Sequence, residues 1–497
     1  MATEKEVKLG AWAGFELPAL DDIADDVTSV ARLPKTLLAV YYDTPDLRLA
    51  RWGVTVRHRS GDGTGWQVKL PDGDDGPALV RRELTFEGAA TKVPDAVTSL
   101  VLAYARNTAP VPVARIRTVR TGVDLLDHEG TLVAEVVDDE VSVLHGGRVA
   151  TRFREVEVEV GERAPDGLMA ALVATLRAAG AGPPDATPKV IRALGDRANE
   201  PPEVAPVRLG KHPSAGDLVQ HAIASSVARL MRHDPGVRIG DDPEDVHQAR
   251  VGTRRLRSDL RTFAPLLKKE WLSSIRDELR WLAGALGAVR DADVLLERLR
   301  RQAAGLPDVD TAAVAPLFRR LAKERDQARA DLLEVLHTPR YVALLDRLVD
   351  AAGHPPCRKA ARAPAADVVP GLVAGPVRNV RQAVKALPDD PAPEQLHRIR
   401  ILAKRARYAS EAAERLAGKD AAALADALAA VQDVLGGYQD AVVAETWLQS
   451  AAGDSDPAVS RAVGDLIAVQ QAEGRACREG WPKAWKKAAG KKLRAWL

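Results

Sequence analysis

The chain has 497 residues, 46% of them hydrophobic and 28% charged, which suits a soluble folded protein of about two to four domains. Its net charge is +2, it holds two cysteines, and no run of roughly 18 apolar residues occurs in it. These values argue against a disulfide framework, a cysteine-based zinc site and a transmembrane helix. MATEKEVKLG has no apolar signal core, so the cytoplasm is the expected compartment. The charge is uneven: residues 1–200 carry 24 Lys and Arg against 31 Asp and Glu, net −7, and the remainder is net +9. Opposite signs predict two domains with separate ligands, the second holding an anion-binding patch rather than a wholly basic nucleic-acid surface.

Strands come first. KEVKL, GVTVRHR, GWQVKL, RRELTF, VARIRTV, GTLVAEVV and FREVEVEV alternate apolar with polar residues, and GDGTG and PDGDDG read as turns between them. Alternation puts Glu4, Glu6 and Lys8 on one face, where a divalent cation would balance two carboxylates beside one ammonium. The same rule groups Thr55, Arg57 and Arg59, then Gln67 with Lys69, Arg81 with Glu83, and Arg115 with Arg117. Glu135 shares a face with Asp139, and Glu155, Glu157 and Glu159 form a ladder. Such charged faces are either the solvent side of ordinary sheets or the lumen of a closed barrel that binds an ionic ligand.

These features, with YYDTPDLRLARWG and the following Arg57-x-Arg59, make residues 1–195 resemble the CYTH family, the triphosphate tunnel metalloenzymes. The resemblance implies an eight-stranded antiparallel β-barrel tunnel, Mg²⁺ or Mn²⁺, and hydrolysis or cyclisation of triphosphates. Carried over by motif, Glu4, Glu6 and Lys8 are the catalytic candidates. Lys8, Arg57, Arg59, Lys69, Arg115, Arg117 and Lys189 are the phosphate binders. Glu4, Glu6, Glu157 and Glu159, with Glu83, Glu135 and Asp139, are the metal ligands. Thr85 departs from the family, which has a Glu two positions after Glu83.

A helix is predicted over Asp166–Gly180, then a proline-rich linker over 196–213. From about Ala215 the period becomes helical, and a Pro/Ala-rich stretch at 353–370 divides this half. An internal repeat runs through it. His247-Gln-Ala-Arg-Val-Gly-Thr-Arg-Arg-Leu-Arg257 matches His397-Arg-Ile-Arg-Ile-Leu-Ala-Lys-Arg-Ala-Arg407, 150 residues later. LGAVRD, ending in Asp291, matches LGGYQD, ending in Asp440. On a helix, steps of 0, 3, 7 and 10 stack His247, Arg250, Arg254 and Arg257 in one stripe, and His397, Arg400, Lys404 and Arg407 in another. Four cations on one face repel one another unless a polyanion neutralises them, and sparse aromatic residues (4%) disfavour base stacking.

The doubled motif resembles the CHAD family, the conserved-histidine α-helical domain, over about 215–490. It implies two pseudo-symmetric helical units that bind inorganic polyphosphate. By motif the polyphosphate binders are His247, Arg250, Arg254, Arg255, Arg257, His397, Arg400, Lys404, Arg405 and Arg407, with Asp291 and Asp440 orienting them.

The expected architecture is two-domain α+β: a barrel over 1–195, a linker, and an all-α domain over 214–497 with repeats at about 214–352 and 370–490. The expected function is a metal-dependent triphosphatase acting on inorganic triphosphate, with an attached polyphosphate-binding domain that would associate it with polyphosphate granules. The alternatives are a non-catalytic polyphosphate-binding protein, an adenylate cyclase, or a thiamine triphosphatase. No membrane or specific nucleic-acid partner is expected.

Overall fold

The computed structural model describes residues 2–21, 23–24, 27–61, 63, 65–71, 79–161, 163–453 and 456–497, with 2–5, 79–80 and 308 described by backbone alone. The chain divides into two compact units, Met1–Glu203 and Val204–Leu497.

The first unit is a closed barrel of eight antiparallel strands: β1 (Ala2–Ala11), β2 (Val27–Asp43), β3 (Thr55–Ser60), β4 (Gly65–Pro71), β5 (Leu79–Phe86), β6 (Val111–Asp127), β7 (Leu132–His145) and β8 (Arg148–Val160). Their order around the barrel is β1-β5-β4-β3-β2-β6-β7-β8, and β8 pairs with β1. Three short helices, α1 (Arg48–Arg51), α2 (Asp95–Leu100) and α3 (Leu102–Ala105), lie in the connections. Helices α4 (Leu168–Ala178) and α5 (Lys189–Leu194) follow the last strand.

The alternation of these strands is inverted relative to an ordinary small barrel. Leu9, Leu125, Val136, Val156 and Val158 face outward, where Leu168, Leu172 and Leu176 of α4 and Phe15 and Leu20 cover them. Each such leucine contributes about 2 kcal/mol by leaving water. The apolar core is therefore on the outside of this wall, and the lumen is left to charged groups.

The YYDTPDLRLARWG run owes its pattern to a turn. The buried Asp43 carboxylate accepts the backbone N–H groups of Thr44 (2.6 Å), Leu49 and Ala50 (both 2.9 Å). Leu47 takes the left-handed conformation at φ 58°. This ties α1 to the end of β2.

The segment read as a linker begins inside this unit. Ala198 is buried in a cluster with Tyr41, Leu47 and Ile191. Pro201 O accepts from Arg51, and the Glu203 carboxylate meets Arg106 at 2.7 Å and Trp52 Nε1 at 3.3 Å.

The second unit is helical: α6 (Ala215–Ile239), α7 (Pro243–Thr262), α8 (Lys269–Ala303), α9 (Asp308–His337), α10 (Pro339–Gly353), α11 (Ala365–Lys385), α12 (Pro393–Ala452) and α13 (Pro457–Ala488). Capping explains several of the starts. Ser214 and Asp217 form a reciprocal capping box on α6, and Asp242 caps α7 ahead of Pro243. α12 breaks at Gly418, with φ 55° and ψ −130°.

The two halves of this unit meet symmetrically. Ala215 N donates to Ala363 O and Ala365 N donates to Pro213 O, both at 2.9 Å. Ser214 and Pro364, 150 residues apart like His247 and His397, form an antiparallel bridge. Reciprocal bonds between equivalent positions are what a pseudo-twofold axis requires. Both cysteines are free, and no helix among the described residues is long and apolar enough to cross a membrane.

Candidate functional site

Strand pairing builds the lumen in rows. Glu6 on β1 is opposite Glu159 on β8, Glu159 is opposite Glu135 on β7, and Glu135 is opposite Asp124 on β6. Four carboxylates thus lie side by side across adjacent strands. The next inward residues are Lys8 opposite Glu157, and then Glu155 opposite Asp139 opposite Arg120. Strands β3, β4 and β5 bring cations instead: Arg57, Arg59, Lys69 and Arg81. The cavity, about 680 Å³, therefore has an acidic wall and a basic wall. Nine cations and seven carboxylates line it among the described residues.

The acidic wall is held by counter-ions. The Lys8 ammonium contacts Glu157 and lies 3.1 Å from Glu6. Arg32 bridges Asp124 (2.6 Å) and Glu135 (2.7 Å), and Arg120 bridges Asp139 (2.6 Å) and Glu157 (2.9 Å). Burial alone would raise Glu157, but the ammoniums of Lys189 and Lys8 and the Arg120 guanidinium hold it well below the usual carboxylate range. Glu155 goes the other way: burial raises it despite Lys189. On the basic wall Arg57 Nε donates to Gln67 Oε1 at 2.8 Å. Burial lowers Arg81 although Glu6 opposes the shift.

Most of the expected tunnel residues meet here. Glu6, Lys8, Arg57, Arg59, Lys69, Glu83, Glu135, Asp139, Glu157, Glu159 and Lys189 all line the one cavity. The side chain of Glu4 lies outside the described residues. One expectation is corrected. Arg115 and Arg117 are exposed on the outer surface, because β6 turns Ile116, Thr118 and Arg120 inward. Lys189 stands among three carboxylates, Glu155 and Glu157 at 2.7 Å and Asp139 at 2.9 Å, which raise its pKa against the effect of burial. In this structure it is a counter-ion of the acidic wall. It starts α5, whose Val190 and Ile191 pack on Ala39, Tyr41 and Ile116 and floor one end of the lumen. Sequence reasoning missed Arg32, Lys35, Arg120 and Asp124.

Among the described residues no three acidic or histidine side chains are drawn together as a metal cluster. The donor chemistry nevertheless fits a hard divalent cation. Glu6, Glu159 and Glu135 offer only carboxylate oxygens from neighbouring strand positions.

In the helical unit the two motifs converge. His247, Arg250 and Arg254 of α7 and Arg400 and Lys404 of α12 line one cavity of about 420 Å³, together with Asp291 and Asp440. Arg250 pairs with Asp291 at 2.8 Å. Arg254 Nε and Arg400 Nε are buried with no hydrogen-bond partner, which is costly unless an anion supplies one. The LG of each match sets a glycine beside the first arginine of its motif: a Cβ on Gly287 would lie 4.0 Å from Arg250 Nε, and one on Gly436 3.7 Å from Arg400 Nε. Burial, then the neighbouring guanidiniums, pushes Lys404 down to about 7. Burial and Arg290 lower His247.

A second cavity of about 860 Å³ shares Arg254 and adds Arg255 and Arg407, which both reach Glu411 over the ring of Tyr408. The other expected binders stand apart. His397 is exposed, its Nδ1 3.0 Å from Gln439 Oε1. Arg257 faces Arg276 and Arg280, and the exposed Arg405 neighbours Arg261.

Comparison with known proteins agrees with both halves. The CYTH domain model matches residues 2–180 and the CHAD domain model residues 221–449. CYTH domains are commonly triphosphatases and typically use divalent metals. Uncharacterized proteins from two strains of Mycobacterium tuberculosis are 33% identical over 500 residues, covering 95% of this chain and 93% of theirs. Among solved structures, PptA from Streptomyces chartreusis is 26% identical, covering 55% of this chain and 99% of its own, with a TM-score of 0.48. The CHAD domain from the plant Ricinus communis is 28% identical, covering 58% and 96%, also with a TM-score of 0.48. The chain belongs to the family of proteins in which a CYTH domain is followed by a CHAD domain.

Proposed function

We propose that the barrel hydrolyses inorganic triphosphate and that the helical unit holds inorganic polyphosphate. The observation that carries the reading is the lumen with its basic wall facing an acidic one. Arg57, Arg59, Lys69 and Arg81 would take the phosphate oxygens. A triphosphate brings at least one negative charge per phosphate, more than a surplus of two cations offsets. Glu6, Glu159 and Glu135 would hold Mg²⁺ or Mn²⁺, which neutralises phosphate oxygens and polarises the bond to be cut. Lys8, between Glu6 and Glu157, is placed to exchange a carboxylate for a phosphate oxygen. Positioning and charge neutralisation suffice for phosphoryl transfer, so no serine or cysteine nucleophile is required.

The lining also favours a substrate without a base. Among the described residues Tyr41 is its one aromatic side chain, and the Tyr41 hydroxyl already accepts from Arg57 at 3.5 Å. The test is phosphate release by the full chain from triphosphate, long-chain polyphosphate, ATP and thiamine triphosphate with Mg²⁺ or Mn²⁺. Triphosphate should be the preferred substrate, and Glu6→Ala should lower turnover by at least roughly 100-fold. Full activity in that variant would exclude the reading, as would cyclic AMP formation from ATP as the dominant reaction. For the helical unit, Arg254 and Arg400 with their unpartnered Nε–H groups support polyphosphate as the ligand.

A further inference from the structure

A second basic surface lies away from the converged motifs. This chain is poor in lysine, with 19 in all, yet five of them fall in the last 15 residues. After Glu479 no acidic side chain follows. Lys486, Lys487, Lys491 and Lys492 are exposed, and none takes part in an ion pair among the described residues. The helix dipole accounts for the two in the last turn of α13 but not for the two beyond it.

α11 supplies a matching stripe. Arg378, Arg381 and Lys385, at steps of three and four, are all exposed and stand on a stretch with no acid between Asp367 and Asp389. The two groups adjoin: α11 and the turn Lys492–Arg494 both pack on α12, and Arg381 is close enough to Arg494 to act with burial in lowering its pKa. Like charges gathered without partners cost stability, and here two buried donors, Arg494 Nε and Trp496 Nε1, also lack acceptors. The stripe is not repeated at the equivalent positions of the first helical half: positions 228, 231 and 235 of α6, which the 150-residue repeat aligns with it, are Ala, Met and Pro. The surface is therefore not a by-product of the duplication.

We propose that this surface, formed by the α11 stripe and the C-terminal lysines, is a second polyanion site that holds inorganic polyphosphate extending beyond the cavity between the paired motifs. This rests on the polyphosphate reading above. Charge complementarity selects a polyanion. Lysine ammoniums act as compact point charges without the forked geometry of arginine, which suits a chain held loosely at many points. A membrane surface fits less well, since none of the exposed large apolar side chains belongs to this segment and Trp481 is buried. Single-stranded nucleic acid fits less well, because Trp485 and Trp496, the other aromatic side chains of this segment, are half-buried and leave no fully exposed ring to stack a base.

The test compares the full wild-type chain with two multiple variants: Lys486→Gln/Lys487→Gln/Lys491→Gln/Lys492→Gln, and Arg378→Gln/Arg381→Gln/Lys385→Gln. Affinity is measured for a short polyphosphate that the cavity alone can hold and for one of several hundred phosphates, across a salt series. Each variant should keep its short-chain affinity, lose roughly tenfold for the long chain, and show a shallower salt dependence. Unchanged long-chain affinity in both variants overturns the second site while leaving the first reading intact. Failure of the wild-type chain to bind either length overturns the polyphosphate reading itself. Phosphatidylserine vesicles and duplex DNA serve as further arms. If the substitutions abolish binding to one of these but leave long polyphosphate unaffected, the surface belongs to that partner and the proposal is wrong.

Discussion

Lys404 sits where the two basic motifs meet, and its ammonium is driven down to about 7 by burial and by Arg254, Arg400 and Arg250. The sign of the consequence follows from linkage. An unfolded lysine keeps its proton to about 10.4, so between about 7 and 10.4 the unfolded chain binds more protons, and this group adds stability as pH rises through that window. An anion reverses the balance, because phosphate oxygens restore the favoured charged form. Polyphosphate binding should therefore take up protons near pH 7 to 8 and weaken as pH rises. Calorimetry in two buffers of different ionisation enthalpy would detect the uptake. Lys404→Met should lower affinity at pH 6 and flatten the pH profile between 6 and 9; a profile as steep as wild type would show that another group, such as His247, sets it.

Individual elements explain which parts of the molecule were legible in the sequence. The inward set of β8, Glu155, Glu157 and Glu159, was readable because Val156, Val158 and Val160 alternate with it on the other face. β2 was not. Arg32 and Lys35 are three apart, which on a regular strand puts them on opposite faces, yet both line the lumen. A register shift between them realigns the strand, and alternation cannot foresee that. On β6, arginines occur in both phases, at 115 and 117 and at 120, so charge alone could not tell the lumen from the surface. Lys189 lay on a helix that no strand pattern connects with the barrel. The helical motifs were legible because a stripe at helical spacing occurs twice, but the split between Arg254 and Arg255 depends on where Glu411 and Tyr408 come to rest. α12 carries a test of its own. At Gly418 the backbone adopts φ 55° and ψ −130°, and a Cβ there would meet nothing within 4 Å. Gly418→Ala should thus lose about 1–3 kcal/mol through backbone strain alone, read as a lower urea midpoint with an unchanged slope.

At the scale of the whole molecule, the division at Glu203 changes where the barrel unit ends. Residues 196–203 look like linker by composition, since two prolines among mostly charged residues show no period. They are anchored by groups composition does not reveal: the Ala198 methyl in an apolar cluster, and the Glu203 carboxylate against Arg106 and the Trp52 indole. A fragment ending at 203 should fold with a thermal midpoint several degrees above one ending at 195, since losing a charge-assisted hydrogen bond and a buried contact costs roughly 2–3 kcal/mol. Equal midpoints would show that the segment only rests on the barrel.

The reciprocal bonds of Ala215 with Ala363 and of Ala365 with Pro213 are those of a half-turn between the two helical halves that carry the basic motifs. A linear polyphosphate has no head or tail, whereas a nucleic-acid strand has both. A directionless thread entering a half-turn receptor fits in either sense, and the two orientations are nearly degenerate. That degeneracy favours binding by about 0.4 kcal/mol, as RT ln 2. It also means that the thread can leave and re-enter reversed without any rearrangement of the protein.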